Sequence, residues 1–220
     1  FPFFKPLYEP DRTVHLLHHR PPNGTDAWSP LSLFDGTHFP LTTDQIPADC
    51  HHVRTDGLEF LRREGIAIER RPLNHPGGAY GYRLRHDGHS FAHLPDNELQ
   101  PPNPHEAQSS FDDLAAFCDG VDLLCHDAQY RPDEMPVKWG WGHSLVSQAC
   151  ALSIKAEVDG LLLFHHDPAR TDDAVDTLQT RARGRLAPTD IQCAAAYETL
   201  SLDLSAGDVQ TLNERAGAAP

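Results

Sequence analysis

The chain has 220 residues, of which 39% are hydrophobic and 23% charged, enough for one domain with a real core or for two very small ones. Its formal net charge is −14, from 32 acidic residues against 18 Lys plus Arg. An acidic surface repels nucleic-acid backbones, so a polymeric nucleic-acid partner is not expected. No run of 18 apolar residues occurs, so no membrane-spanning helix is expected.

Cysteines stand at positions 50, 118, 125, 150 and 193, an odd count without a Cys-x-x-Cys pair. Reduced, buried thiols in a cytoplasmic protein are expected, not a disulfide framework or a four-cysteine zinc site. No basic region precedes an apolar one at the start, so no signal peptide is expected. The sole methionine is Met135, and the chain opens on Phe1-Pro2-Phe3-Phe4. Free termini are usually polar, so this apolar start is what a fragment would show. Fifteen histidines nearly match the Lys plus Arg count. Most are expected at the surface or in structural pairs, but histidine is also the commonest metal ligand.

Thr13 to Leu17 predicts a short strand. Residues 20–50, rich in Pro, Asp, Thr and Gly, predict a long irregular excursion. Ile66 to Leu73 alternates like a half-buried strand and runs into the breakers Asn74-His75-Pro76-Gly77-Gly78. Tyr80 to Arg85 and Ser90 to Leu94 flank Asp87-Gly88, a hairpin signal, and Pro95-Asp96-Asn97-Glu98 follows at once. Phe111 to Cys118 is a short helix candidate with two aspartates in its first turn. Val121 to Cys125 predicts a buried strand ending at His126-Asp127. Ser144 is the expected N-cap of a helix reaching about residue 157. Gly160 to Phe164 is the next strand, ending at His165-His166-Asp167-Pro168. Thr171 caps a further helix, and two strands near 190–193 and 198–204 close the chain. Hairpin strands followed by strands alternating with helices make an α/β layered fold.

Polar clusters fall repeatedly just after strands, where open α/β sheets bind ligands. His75, Asp96 and the His126-Asp127 pair each have an ordinary reading as turn residues, caps or a satisfied pair. Two histidines and an aspartate after the all-apolar strand Gly160–Phe164 are the most specific local signal. Trp139-Gly140-Trp141-Gly142-His143-Ser144 reads either as a glycine loop with packing tryptophans or as a histidine held over a cleft.

Together these residues resemble the metallo-β-lactamase superfamily, in particular its phosphodiesterase and RNase Z-like branch, over nearly the whole chain. Asn74-His75-Pro76-Gly77-Gly78 is similar to the segment of the third-motif histidine ligand. Asp96 is similar to the bridging aspartate, and His165 to the last histidine ligand. His126-Asp127-Ala128 is similar to the His-Glu-Ala motif of the branch, and His143-Ser144 to its His-Ser-Thr motif. The opening Phe1 to Tyr8 looks like the segment that follows the family's His-x-His-x-Asp-His motif. That motif, which supplies four metal ligands, is absent; His15-Leu16-Leu17-His18-His19 has the wrong spacing to replace it.

The resemblance implies an αββα sandwich, N-terminally incomplete, as a single domain over residues 1–220. It implies a metal-dependent hydrolase with two zinc ions per complete site, manganese being the alternative. His75, Asp96 and His165 are the implied metal ligands, with His166 behind them. Asp96, Asp127 and His143 are the implied catalytic residues. The implied substrate is a small phosphodiester or related ester. A homodimer is also allowed, with the 20–50 loop packing on a partner subunit or forming a lid. The competing expectations are a non-catalytic binding or regulatory module on the same fold, favoured by the missing motif, and an α/β domain with many surface histidines.

Overall fold

The structure, a computed structural model, describes residues 4–17, 30–53, 57–198 and 200–206. It falls into two units, residues 1–64 and 65–220. In the first, β1 (Thr13–Leu17) pairs in parallel with β2 (Asp49–Val53), Thr13 facing Asp49 and Leu17 facing Val53. Short 3₁₀ turns at Lys5–Tyr8, Pro30–Leu33 and Thr43–Gln45 and the helix α1 (Gly57–Arg63) complete it. Leu7, Val14, Leu16, Leu31, Phe34 and Ala48 form its core. Within the predicted excursion over 20–50, residues 30–50 carry two turns and enter a strand. Its residues 20–29 lie outside the described ones. The polar Asp49-Cys50-His51-His52 run hides β2 from an apolar-pattern reading, since backbone pairing alone defines it.

The second unit is a six-stranded sheet in the order β3-β4-β5-β6-β7-β8. β3 (Ala67–Leu73), β4 (Ala79–His86) and β5 (His89–Leu94) form an antiparallel meander. The β4–β5 turn is Asp87-Gly88 with both residues at positive φ, 48° and 83°, as the Asp-Gly signal predicts. From β5 onward pairing is parallel, through β6 (Leu123–Asp127) and β7 (Gly160–Phe164) to β8 (Gln192–Ala195). The crossovers carry α2 (Phe111–Phe117), the short α3 (Met135–Lys138) with α4 (Val146–Lys155), and α5 (Asp172–Leu186). The sheet is therefore mixed, with flanking helices.

Side-chain alternation divides the core. Ala92, Leu94, Leu124, Leu161 and Leu163 point to the side where residues of α2, α4 and α5 pack. Each fully buried leucine there contributes roughly 2 kcal/mol. Leu123, Cys125, Leu162 and Ala194 point to the other face, where Leu200, Leu202 and Leu204 meet them.

Three predicted elements need correction. β6 begins two residues later than expected and continues through His126 and Asp127, because their polar side chains find buried partners inside the fold. Ser144 does not cap α4. Its hydroxyl donates to the Asn97 carbonyl at 2.6 Å and accepts from Leu99 N–H at 3.0 Å, and Leu145 takes the N-cap position. No strand forms at 198–204 among the described residues; the alternating leucines there pack on the sheet face instead of pairing at its edge. All five cysteines are free, and all but Cys50 are buried. No helix among the described residues is long and apolar enough to cross a membrane.

Candidate metal centre

Sheet direction brings the polar clusters together. β3, β5, β6 and β7 all run the same way, so residues following each of them arrive at one edge of the sheet. Leu94 pairs with His126, and Asp127 with Phe164. Asp96, Asp127 and His165 thereby fall side by side, at the strand ends where such sheets bind ligands.

Asp127 is fully buried, and its carboxylate accepts four N–H groups. His143 Nδ1 lies 2.6 Å from Oδ2, joined there by Asn97 N–H at 3.2 Å. Gln129 N–H and Ser144 N–H reach Oδ1 at 3.1 and 3.3 Å. With a carboxylate at Nδ1, the His143 proton sits on that nitrogen and Nε2 is left for the cleft. Burial lowers the His143 pKa. The Asp127 hydrogen bond and charge, with the charges of Asp96 and Glu98, outweigh it, so the net shift is upward.

His165 Nε2 stands 3.1 Å from Asp96 Oδ1, each side chain 36% exposed. Its backbone has φ +57°, the left-handed region that is uncommon outside glycine and recurs at functional sites. The His143 and His165 rings stack with centroids 4.8 Å apart. One ligand atom from each of Asp96, Asp127, His143 and His165 lies within 4.8 Å of the others, the one such group found among the described residues.

The structure thus brings together four of the five residues singled out from the sequence. His75 stands just outside that group: its ring meets the His143 ring edge-on at 5.4 Å, and its Nδ1 accepts the Gly77 N–H at 3.1 Å. His166 is also outside it. His126 has no nitrogen to spare. Its Nδ1 donates to the Asp127 carbonyl at 2.6 Å, and its Nε2 receives the Asn97 amide at 3.2 Å. Its burial lowers its pKa, which suits that neutral form. Asp167 is occupied by Lys138 Nζ at 2.6 Å.

Three residues that hold this site escaped the sequence reading. Asn97, fully buried, links β6 to the turn after β3: its Oδ1 accepts from Asn74 N–H at 3.0 Å and its amide reaches His126. Asn74 in turn binds the Glu98 and Ser109 carbonyls at 3.1 and 2.9 Å. Glu98, 2% exposed, accepts Gly140 N–H at 2.9 Å and Gly142 N–H at 3.1 Å. It fixes the loop that delivers His143. The signal was the polar run Asp96-Asn97-Glu98 between Leu94 and the buried Leu99.

The donor set fits a divalent ion. One carboxylate oxygen of Asp96 and Nε2 of His165 lie 3.1 Å apart, and mixed imidazole and carboxylate donors suit zinc or manganese more than calcium. Asp127 fits less well as a ligand, because amide and imidazole N–H groups already occupy both of its oxygens.

Comparison with known proteins agrees with this fold. Residues 14–166 match the family described as the beta-lactamase superfamily domain. The chain is 36% identical over 52 residues to ribonuclease Z of Shouchella clausii, a stretch covering 24% of this chain and 17% of that protein. It resembles the metallo-beta-lactamase fold protein YhfI from Bacillus subtilis with a TM-score of 0.52 and 17% identity, over 83% of this chain and 62% of that one. It resembles Zn(2+)-bound PqqB from Methylobacterium extorquens with a TM-score of 0.55 and 15% identity, over 90% and 64%. The chain spans less than two thirds of the length of each of these relatives. With its mixed sheet, flanking helices and strand-end His/Asp cluster, the chain belongs to the metallo-β-lactamase superfamily, whose members are metal-dependent hydrolases.

Proposed function

We propose that the chain carries part of the site of a metal-dependent hydrolase acting on a small phosphodiester or related ester. The observation that carries this reading is the Asp127–His143 pair beside the Asp96–His165 pair, one ligand atom of each of the four lying within 4.8 Å of the others. Asp96, His165 and, from across His143, His75 are the residues that would hold metal, zinc first and manganese second. A divalent ion held there would supply Lewis acidity and lower the pKa of water. Asp127 orients the imidazole and stabilises its protonated form, so that Nε2 holds a proton toward the leaving oxygen of a bound ester. The acidic surface favours a small substrate over a polymeric nucleic acid. The reduced, buried thiols suit a cytoplasmic setting.

The His-x-His-x-Asp-His pattern does not occur in these 220 residues. The residues present supply too few donors for a tight dinuclear site. The 220-residue chain is therefore expected to bind at most one ion, weakly, and to turn over slowly. Elemental analysis after purification without added metal, with hydrolysis of bis(p-nitrophenyl) phosphate in added zinc or manganese, tests this. His143→Ala should abolish the turnover and leave metal uptake in place, whereas Asp96→Ala should lose both. Two tightly held ions would contradict the ligand count, and turnover untouched by His143→Ala would sink the assignment. The missing motif also favours a second reading, a binding module on the same fold. Metal uptake with no turnover in any ester assay supports that one.

A further inference from the structure

Within the second unit, a cavity of about 330 Å³ opens between the segment after β6, the start of α4 and the second half of α5. None of Asp96, Asp127, His143 and His165 lines it. Its lining is mainly apolar: Val146 and Leu178, 7% and 5% exposed, stand there beside the exposed Pro132. Among the described residues no carboxylate lines it, whereas three arginines do. Arg131 is already matched, by Asp133 at 3.1 Å and Glu134 at 3.3 Å. Arg181 and Arg185 are not. Both are exposed on α5, and neither has an ion pair or a side-chain hydrogen bond among the described residues. Arg185 has Cys150 in its field, but burial pushes that thiol up to about 11 and keeps it neutral. Arg183, by contrast, donates from Nε to the Cys193 carbonyl at 2.8 Å. Four residues apart on one helix, Arg181 and Arg185 are neighbours that repel each other. In a chain of net charge −14, with 32 acidic residues to draw on, that pair still meets no carboxylate. Gly184, between them in α5, lines the same cavity. Glycine within a helix costs stability relative to alanine. A Cβ there would meet nothing within 4 Å, so no described neighbour demands the glycine. What the glycine keeps is space in the cavity.

We propose that this cavity binds a phosphate monoester of a small apolar alcohol or phenol, with the apolar group against Val146 and Leu178 and the phosphate at Arg181 and Arg185. A mainly apolar wall edged by exposed arginines takes an amphipathic anion, because arginine stems extend the apolar lining while the guanidinium heads stay toward water. The volume is at the small end for ligand cavities, room for a single ring and not for a polymer. Two unmatched guanidiniums select the anion. A carboxylate gives both of its oxygens to one arginine, whereas a phosphate monoester spreads two charges over three free oxygens and can meet two arginines at once. The site does not depend on the hydrolase reading, since no residue of the metal centre takes part in it.

The test is binding, measured by calorimetry on the full 220-residue chain in EDTA at pH 8, with phenyl phosphate as the probe. Inorganic phosphate lacks the apolar group and benzoate lacks the second charge, so phenyl phosphate should bind more tightly than either. Arg181→Gln and Arg185→Gln, both at exposed positions, should each weaken it about tenfold. Gly184→Ala should raise the urea midpoint, because alanine is the better helix former and its methyl group has open space. Gly184→Leu should stay folded and lose the probe by filling the cavity; if that variant does not fold, the two arginine variants decide. Equal binding of inorganic phosphate and phenyl phosphate would overturn the proposal. So would a Gly184→Ala chain that is less stable, which would make the glycine a packing residue. Binding unchanged in both arginine variants, binding that appears only with added zinc, or no binding at millimolar probe would overturn it as well.

Discussion

Replacing Asp127 with asparagine probes the link on which the site turns. The native carboxylate accepts N–H groups from His143, Asn97, Gln129 and Ser144. Asparagine converts one oxygen to an amide donor, and the least costly orientation turns that amide toward His143. The imidazole then switches tautomer, accepting at Nδ1 and carrying its hydrogen on Nε2, while the Asn97 N–H faces another donor. One buried unsatisfied donor costs about 1–3 kcal/mol, so Asp127→Asn should lose about that much stability in urea unfolding. The His143 pKa, now raised, should fall once the carboxylate is gone. A raised folded-state pKa gives stability that is fully present below the ordinary histidine value and is lost as pH rises through the folded value. That stretch of the stability profile should flatten in the variant. Long-range ¹H–¹⁵N spectra report tautomer and titration together. An Asp127→Asn protein that keeps hydrogen on Nδ1 and an unchanged His143 titration would refute the orienting role.

The remaining predictions concern its surroundings. A methyl group at Gly142 would lie 2.4 Å from His75 Cδ2 and 2.7 Å from Pro76 Cδ, at a φ of +94°. Gly142→Ala should therefore cost about 2–4 kcal/mol by denaturant unfolding and move the His75 ring resonances. Burial pushes Cys118, Cys125 and Cys193 up to about 12 and Cys150 to about 11. Ellman's reagent on the native chain should thus label Cys50 alone, with the other four reacting only after unfolding. Thr171 caps α5 by accepting from Ala174 N–H, so Thr171→Ala should lower stability by about 1 kcal/mol.

Much of the site was legible because it is written in local pattern. A short apolar run that stops at His165-His166-Asp167, or an alternating run that stops at Asn74-His75, marks a strand end without any knowledge of the fold. Asp96, Asp127 and His165 stand at or after such ends, His143 stands in the Gly140–Gly142 loop, the family resemblance singled out all four, and the structure gathers them. The framework that holds them was not legible. Asn74 bonds Glu98 and Ser109, which are 24 and 35 residues away, and Ser144 bonds Asn97 across 47. Which buried amide meets which carbonyl depends on three strands being parallel and in one register. Ser144 shows the cost of local reading: beside a helix start, a serine looks like a cap, yet here it closes the Asn97 turn.

That framework explains why the centre can sit at the end of a sheet without collapsing. Burying a carboxylate such as Asp127 is costly unless its lone pairs are met. Three of its four donors are backbone amides, of Asn97, Gln129 and Ser144. Glu98 is met in the same way by the amides of Gly140 and Gly142. Both anions are thus stabilised by rigid main chain, which cannot rotate away as lysine or arginine side chains can. The consequence is preorganisation: the His143 loop is pinned through its glycines by Glu98, and the His143 ring is pinned by Asp127. The His143 ring is therefore oriented before any ligand arrives. A site built with flexible cations would bear the entropy of that alignment each time it bound.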